Sequence, residues 1–274
     1  MKYIFLVLVA FLGFGKIPCF SASGSMQLWA SPDSVKGKVT SCEVYYVSGE
    51  GSHIIRTKKA AARYNIFGKR VEEAKYQDNA ISETKTIVFD DYKRITEIIT
   101  NHDNKNTKEI LKYDEKGNYT LSLFYNTKGE LTSKVVNTYN LKGECVSEKV
   151  VELHAGNEPL ALEETKNTFD AKGNKTSSAV IGAPLSMKTV YIYDRNRRVT
   201  ESRYFQGDMK VAAITEIMKY DNNRNLVEKQ RKSGDGSIVS KVTYKYDIDN
   251  NLIEEEIYDA VRMSNLKIEY VYSQ

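Results

Sequence analysis

Tyr113-Asp-Glu-Lys-Gly117, Tyr139-Asn-Leu-Lys-Gly143 and Phe169-Asp-Ala-Lys-Gly173 are copies of one pattern: an aromatic residue, Asp or Asn, two variable positions and Gly. Six more stretches follow it closely. They are Tyr64-Asn-Ile-Phe-Gly68, Phe89-Asp-Asp-Tyr-Lys93, Tyr125-Asn-Thr-Lys-Gly129, Tyr193-Asp-Arg-Asn-Arg197, Tyr220-Asp-Asn-Asn-Arg224 and Tyr246-Asp-Ile-Asp-Asn250. Self-similarity of this kind signals a repeat architecture. Asn65, Asp90, Asp114, Asn126, Asn140, Asp170, Asp194, Asp221 and Asp247 each open a turn, because a short polar side chain there bonds the backbone two residues on. Gly68, Gly117, Gly129, Gly143 and Gly173 close theirs with the positive φ of a three-residue hairpin ending in a bulge. Lys93, Arg197 and Arg224 accept that conformation less readily, so weaker or differently shaped turns are expected there.

Period-two alternation surrounds the turns and marks strands. Ile87, Leu111, Leu123 and Met218 lie two positions before their aromatic residue, and the chain closes on Tyr270-Val-Tyr272. Two residues past most turns stands an apolar or aromatic side chain: Ile95, Tyr119, Leu131, Cys145, Val199, Leu226 or Leu252. Arg70 and Lys175 are the exceptions. Leaving aside the copy at 126–129, turn starts are separated by 24 to 30 residues, two strands and two turns each. Loops of varied composition fall between them. The reading is an all-β chain, a long antiparallel up-and-down meander of about 18 strands built from hairpin repeats, with uniform turns on one edge and variable loops on the other. Open twisted sheets rarely exceed about 10 strands, so a curled or spiralling single sheet is expected. Lys58-Lys-Ala-Ala-Ala-Arg63 is the one helix-friendly stretch.

The repeat units resemble those of the YD-repeat (Rhs-type) proteins of bacteria. The matching pieces are Tyr113-Asp114-x-x-Gly117-Asn118, Phe169-Asp170-x-x-Gly173-Asn174, Tyr220-Asp221 with Asn225-Leu226, and Tyr246-Asp247 with Asn251-Leu252. Large members of that family spiral into a shell around a toxin, and short exported members are sometimes described as carbohydrate-binding. No cleavage or toxin module is present in this sequence, and a chain of this length is not expected to close a shell.

Residues 3–14 form an apolar run of 12, right for a secretory leader and too short for a membrane helix. The expected organisation is a signal peptide over 1–22, an N-terminal arm or cap over 23–37 and the repeat domain over 38–274. Pro18 before Cys19 argues against lipidation. Export to the periplasm, cell surface or medium follows, and no further stretch is long and apolar enough to cross a membrane. Of 40 basic residues, two lie in the leader, which leaves 38 against 36 acidic ones. That balance does not suit a nucleic-acid binder. Export permits disulfides; whether Cys42 and Cys145 pair stays open, and Cys145 fills a slot otherwise given to Leu or Val.

No catalytic set is legible, and no cofactor or metal is expected. His53, His102 and His154 read as solvated loop residues, without metal-ligand spacing. Asp247 to Asn251 is explained by turn capping, and Gly49 to His53 by a hairpin turn. Glu163-Glu164 and Glu254 to Glu256 place successive carboxylates on opposite faces of a strand. What remains is surface. With 19 Tyr against 9 Phe and 1 Trp, the row Tyr113, Tyr139, Phe169, Tyr193, Tyr220 and Tyr246 offers aromatic faces suited to a sugar or a protein. The expectation is an exported, non-catalytic scaffold binding a glycan or an envelope protein. The alternatives are an assembly component pairing through its edge strands and, third, a glycosidase.

Overall fold

The computed structural model describes residues 31–49, 53–153, 159–181 and 186–274. The expected leader, Trp29 and His154 lie outside them. Among the described residues there is no helix, and eighteen strands follow in order. The first nine are β1 (Ser41–Ser48), β2 (Ile55–Tyr64), β3 (Arg70–Gln77), β4 (Ala80–Phe89), β5 (Ile95–His102), β6 (Lys105–Tyr113), β7 (Tyr119–Tyr125), β8 (Leu131–Tyr139) and β9 (Cys145–Leu153). The rest are β10 (Pro159–Phe169), β11 (Lys175–Ile181), β12 (Met187–Tyr193), β13 (Val199–Gln206), β14 (Ile214–Tyr220), β15 (Leu226–Ser233), β16 (Ile238–Tyr246), β17 (Leu252–Asp259) and β18 (Ser264–Ser273). The helix-friendly stretch is strand, in β2. Its alanines 60 and 62 are buried against the wall, so packing overrides local propensity.

Each strand pairs antiparallel with its neighbours in sequence, and β1 also pairs with β18, from Ser41↔Ser273 to Val47↔Lys267. The meander is therefore closed. It is an up-and-down barrel, where the sequence led to a curled or spiralling sheet. Closure also corrects the edge-pairing alternative: a ring has no free edge to offer a second chain. The seam carries the larger of the two buried apolar clusters among the described residues. Cys42, Val44, Ala60, Val242, Ile257 and Ile268 belong to this one cluster across β16, β17, β18, β1 and β2, each at most 7% exposed. Burying these side chains repays the entropy of joining the two ends of the sheet. Cys42 and Cys145 are both free thiols, and burial pushes the Cys42 thiol up to about 12.

Eight of the nine turns line one rim and the copy at 126–129 lies on the other. All nine have the same form. In the turn at 114–117, Gly117 N–H donates to Asp114 O at 2.9 Å, and Asp114 Oδ1 accepts from Asn118 N–H at 2.8 Å. Lys93, Arg197, Arg224 and Asn250 adopt φ of +62°, +62°, +72° and +64°. The differently shaped turns expected at 93, 197 and 224 do not occur. At all three the next side chain clamps the turn, Arg94 on Asp90 and Arg198 on Asp194 at 2.7 Å and Asn225 on Asp221 at 3.0 Å. After each turn one extra residue bulges, so Tyr113 faces Tyr119 while Lys112 faces Leu121.

The segment 31–40 runs along the turn-bearing rim. Val35 N–H donates to Gly68 O at 2.9 Å and Lys36 N–H to Asn251 Oδ1 at 2.7 Å. Arg70, which breaks the apolar pattern of its position, is 6% exposed and holds this arm. Its guanidinium reaches Ser31 O at 2.7 Å, Glu73 at 2.9 Å and Asp33 at 2.5 Å. A Cβ at Gly68 would stand 2.2 Å from Val35 O, whereas one at Gly129 meets nothing within 4 Å; both residues have positive φ. Gly129→Ala is expected to cost about 1 kcal/mol of unfolding free energy. Gly68→Ala is expected to cost at least twice that in a urea titration, because it also displaces the arm. Equal costs would mean that the arm does not depend on this contact.

Candidate functional site

Pairing register and burial divide every strand into two faces. The outer face is a lattice of ion pairs at mid-strand. Glu228 on β15 holds Lys219 of β14 at 2.7 Å and Lys241 of β16 at 2.9 Å, and these bonds keep its carboxyl below the usual range. Around the seam, Arg56, Glu269, Lys267, Glu254 and Lys245 form a chain of contacts from 2.5 to 3.4 Å. Outside β13–β15, a groove of about 430 Å³ is lined by Arg203, Phe205, Lys210 and Lys232.

The aromatic row belongs to the inner face, and its hydroxyls are already engaged. Tyr113, Tyr139, Tyr193, Tyr220 and Tyr246 donate to the carbonyls of Ile95, Tyr119, Lys175, Val199 and Leu226, at 2.7 to 2.9 Å. Each acceptor is the first strand residue after the preceding turn of the rim. Tyr272 repeats the bond to Leu252 O at 2.6 Å. The rings thus tie each hairpin to the one before it and are part of the wall. Phe169 has no hydroxyl; in its place Asn167 Nδ2 donates to Cys145 O at 3.0 Å. Tyr193→Phe and Tyr220→Phe are each expected to cost about 0.5–1.5 kcal/mol in denaturant unfolding. Phe169→Tyr should gain about 0.5–1.5 kcal/mol, because Tyr119 O, the equivalent acceptor one hairpin earlier, takes both the Tyr139 hydroxyl at 2.7 Å and Asn137 Nδ2 at 3.2 Å; no gain would refute this ladder.

The inner wall changes character around the ring. Beside the apolar seam sector, the arc from β7 to β13 is polar, with Ser122, Ser133, Asn137, Asn167, Ser178 and Ser202 all at most 8% exposed. Carboxylates stand among them. Ser122 Oγ donates to Glu109 at 2.5 Å and Tyr204 to Glu216 at 2.9 Å; in the seam sector Tyr270 donates to Glu255 at 2.9 Å. Burial raises Glu109 and Glu255 above the usual carboxylate range. Glu148 of β9 faces Asn137 of β8 and Thr165 of β10, and accepts no hydrogen bond among the described residues. Burial pushes it up to about 7, with Glu163 raising it further and Lys175 opposing. Lys175, the second exception to the apolar pattern, therefore supplies positive charge to this acidic stretch of wall.

The other sequence candidates do not converge. Glu163 and Glu255 face inward while Glu164, Glu254 and Glu256 face outward. His53 and His102 are exposed, and His102 Nδ1 lies 2.7 Å from Ser82 O. Asp247 caps its own turn through Asn251 N–H at 2.7 Å. Among the described residues no three His, Cys, Asp or Glu side chains are placed to hold a metal ion, and no helix is long and apolar enough to cross a membrane. The sequence reading missed Glu148 and Asn167. Counting past the bulge would have put Glu148 on the inner face.

No family model and no curated protein matches the sequence. Among solved structures, a porin-like protein from Bacteroides uniformis is 8% identical over 86% of this chain and 98% of its own, with a TM-score of 0.44. A porin-like protein from Bacteroides vulgatus is 17% identical over the same shares, with a TM-score of 0.38. The toxin complex TcdB2-TccC3-Cdc42 is 10% identical, with a TM-score of 0.33; the match covers 86% of this chain and 16% of that one. All three likenesses are weak in sequence and in superposition.

Proposed function

We propose that the protein is an exported, non-catalytic scaffold of the cell envelope that binds a glycan on the inner wall of its barrel. The observation that carries this reading is the contrast between the two faces. Outer carboxylates such as Glu228 and Glu254 form direct ion pairs with lysines. Inside, Glu109 and Glu255 accept from hydroxyls, and Glu148 accepts no hydrogen bond among the described residues. Lys85, Lys175 and Lys229 act on these three without a direct ion pair among the described residues. Buried acceptors beside aromatic rings are the groups that sugar hydroxyls and sugar faces use. The outer lattice supports a water-facing wall, because each Lys or Arg on the outer face of a membrane barrel costs about 2–4 kcal/mol at mid-bilayer. The leader at residues 3–14 and the YD-type repeats support export and carbohydrate binding.

The test is a glycan array and calorimetry with residues 23–274, secreted and shown by circular dichroism to be folded. Retention of one glycan class, competed by the free oligosaccharide, is the expected result. A folded protein that retains no glycan, or that captures only a protein partner, would overturn the reading.

A further inference from the structure

Among the described residues the polar arc contains one buried side-chain oxygen without a donor. Asn167 is 7% exposed, and its amide nitrogen is spent on Cys145 O. Its Oδ1 is buried without a hydrogen-bond partner. One rung further from the turn rim, the carboxylate of Glu148 accepts nothing among the described residues, and Glu163 stands a rung beyond that on the same face of β10. Asn167 also faces Ser178 of β11. A buried polar oxygen without a donor costs roughly 1–3 kcal/mol. The equivalent of Asn167 one hairpin earlier, Asn137, differs: its oxygen accepts a weak bond from the Cys145 thiol at 3.8 Å.

From this juxtaposition we propose that Asn167 Oδ1 and Glu148 form a sugar subsite, which accepts hydrogen bonds from adjacent hydroxyls of one sugar residue. The inference rests on the glycan-binding reading above and locates it on β9–β10. A neutral polyol matches the place better than an ammonium ion, because Lys175 already supplies positive charge beside Glu148.

The experiment measures calorimetric affinity at pH 8 for α- and β-linked tetrasaccharides of glucose, galactose, mannose and N-acetylglucosamine, with spermidine as an amine probe. Wild type, Glu148→Gln, Asn167→Ser and an outer-wall control, Glu228→Gln, are compared, each with its melting temperature. The expected result is a tetrasaccharide bound by wild type and by the control within twofold, and at least tenfold more weakly by Glu148→Gln. Glu148→Gln is expected to melt no lower than wild type, which separates lost binding from lost fold. Asn167→Ser, if folded, should show a similar loss. Wild-type binding that neither variant weakens would overturn the subsite while leaving the glycan reading standing. Absence of binding by wild type would remove the reading itself. Spermidine binding that disappears in Glu148→Gln, without tetrasaccharide binding, would overturn the sugar assignment.

Discussion

Ile268→Ala is expected to lower the unfolding free energy by about 2–5 kcal/mol, the range for a fully buried large aliphatic side chain cut to Ala. Ile268 is 0% exposed on β18, opposite Tyr46 in the β1–β18 seam, and belongs to the buried cluster with Val44 and Ile257. The comparison is Ile253→Ala on the outer face, where the side chain is 36% exposed; there a loss below about 1 kcal/mol is expected. The seam loss should have a second signature. Each strand touches only its two neighbours, so weakening this one pairing exposes two bare strand edges. Edges of that kind pair with other chains. Ile268→Ala should therefore form oligomers in size-exclusion chromatography at urea concentrations where wild type stays monomeric. Equal destabilisation by both variants, or no oligomers, would show that the seam is no more critical than any other part of the wall.

Glu148→Gln is expected to stabilise the protein by about 1–3 kcal/mol at pH 8 and to change little at pH 4.5. The folded protein holds the Glu148 proton up to about pH 7, against an ordinary 4.5. The favourable contribution of the protonated group is complete below about pH 4.5 and is lost as the pH rises through about 7. A glutamine has no proton to lose and escapes that penalty. The charges around Glu148 act in opposite directions, Glu163 reinforcing burial and Lys175 opposing it. Urea titrations of both proteins at the two pH values measure the difference directly. A gain that is the same at pH 4.5 and pH 8 would mean that Glu148 is ionised in the fold at neutral pH and that its burial has no electrostatic consequence.

The hairpins were legible because their cause is local. Asp114 and Gly117 form their turn through bonds spanning at most four residues, so the sequence around them contains the whole instruction. Closure was not. It depends on Ser41 meeting Ser273 and Val44 meeting Tyr270, and β1 carries no turn motif that would mark it as a partner for the last strand. The inner wall was obscured by the bulges. Simple alternation from Tyr139 misassigns the faces beyond Cys145, because one residue after the turn is extra. Counted that way, Glu148 falls on the outer face. The tyrosines were visible as a row, but their acceptors are backbone carbonyls of the preceding hairpin, which no residue type announces. Asn167 could have been noticed as the polar residue standing two before a Phe that had lost the hydroxyl.

The antiparallel seam makes the hairpin the smallest unit by which this architecture can change size. A ring in which every neighbour runs antiparallel needs an even number of strands; gaining or losing one would bring the first and last strands together parallel. Gaining or losing a whole hairpin of 24 to 30 residues keeps the seam as it is and alters the circumference by about 10 Å, two inter-strand spacings. Tandem duplication of one repeat would therefore yield a wider barrel with the same closing contacts. Copy number becomes a heritable dial for the circumference of the wall.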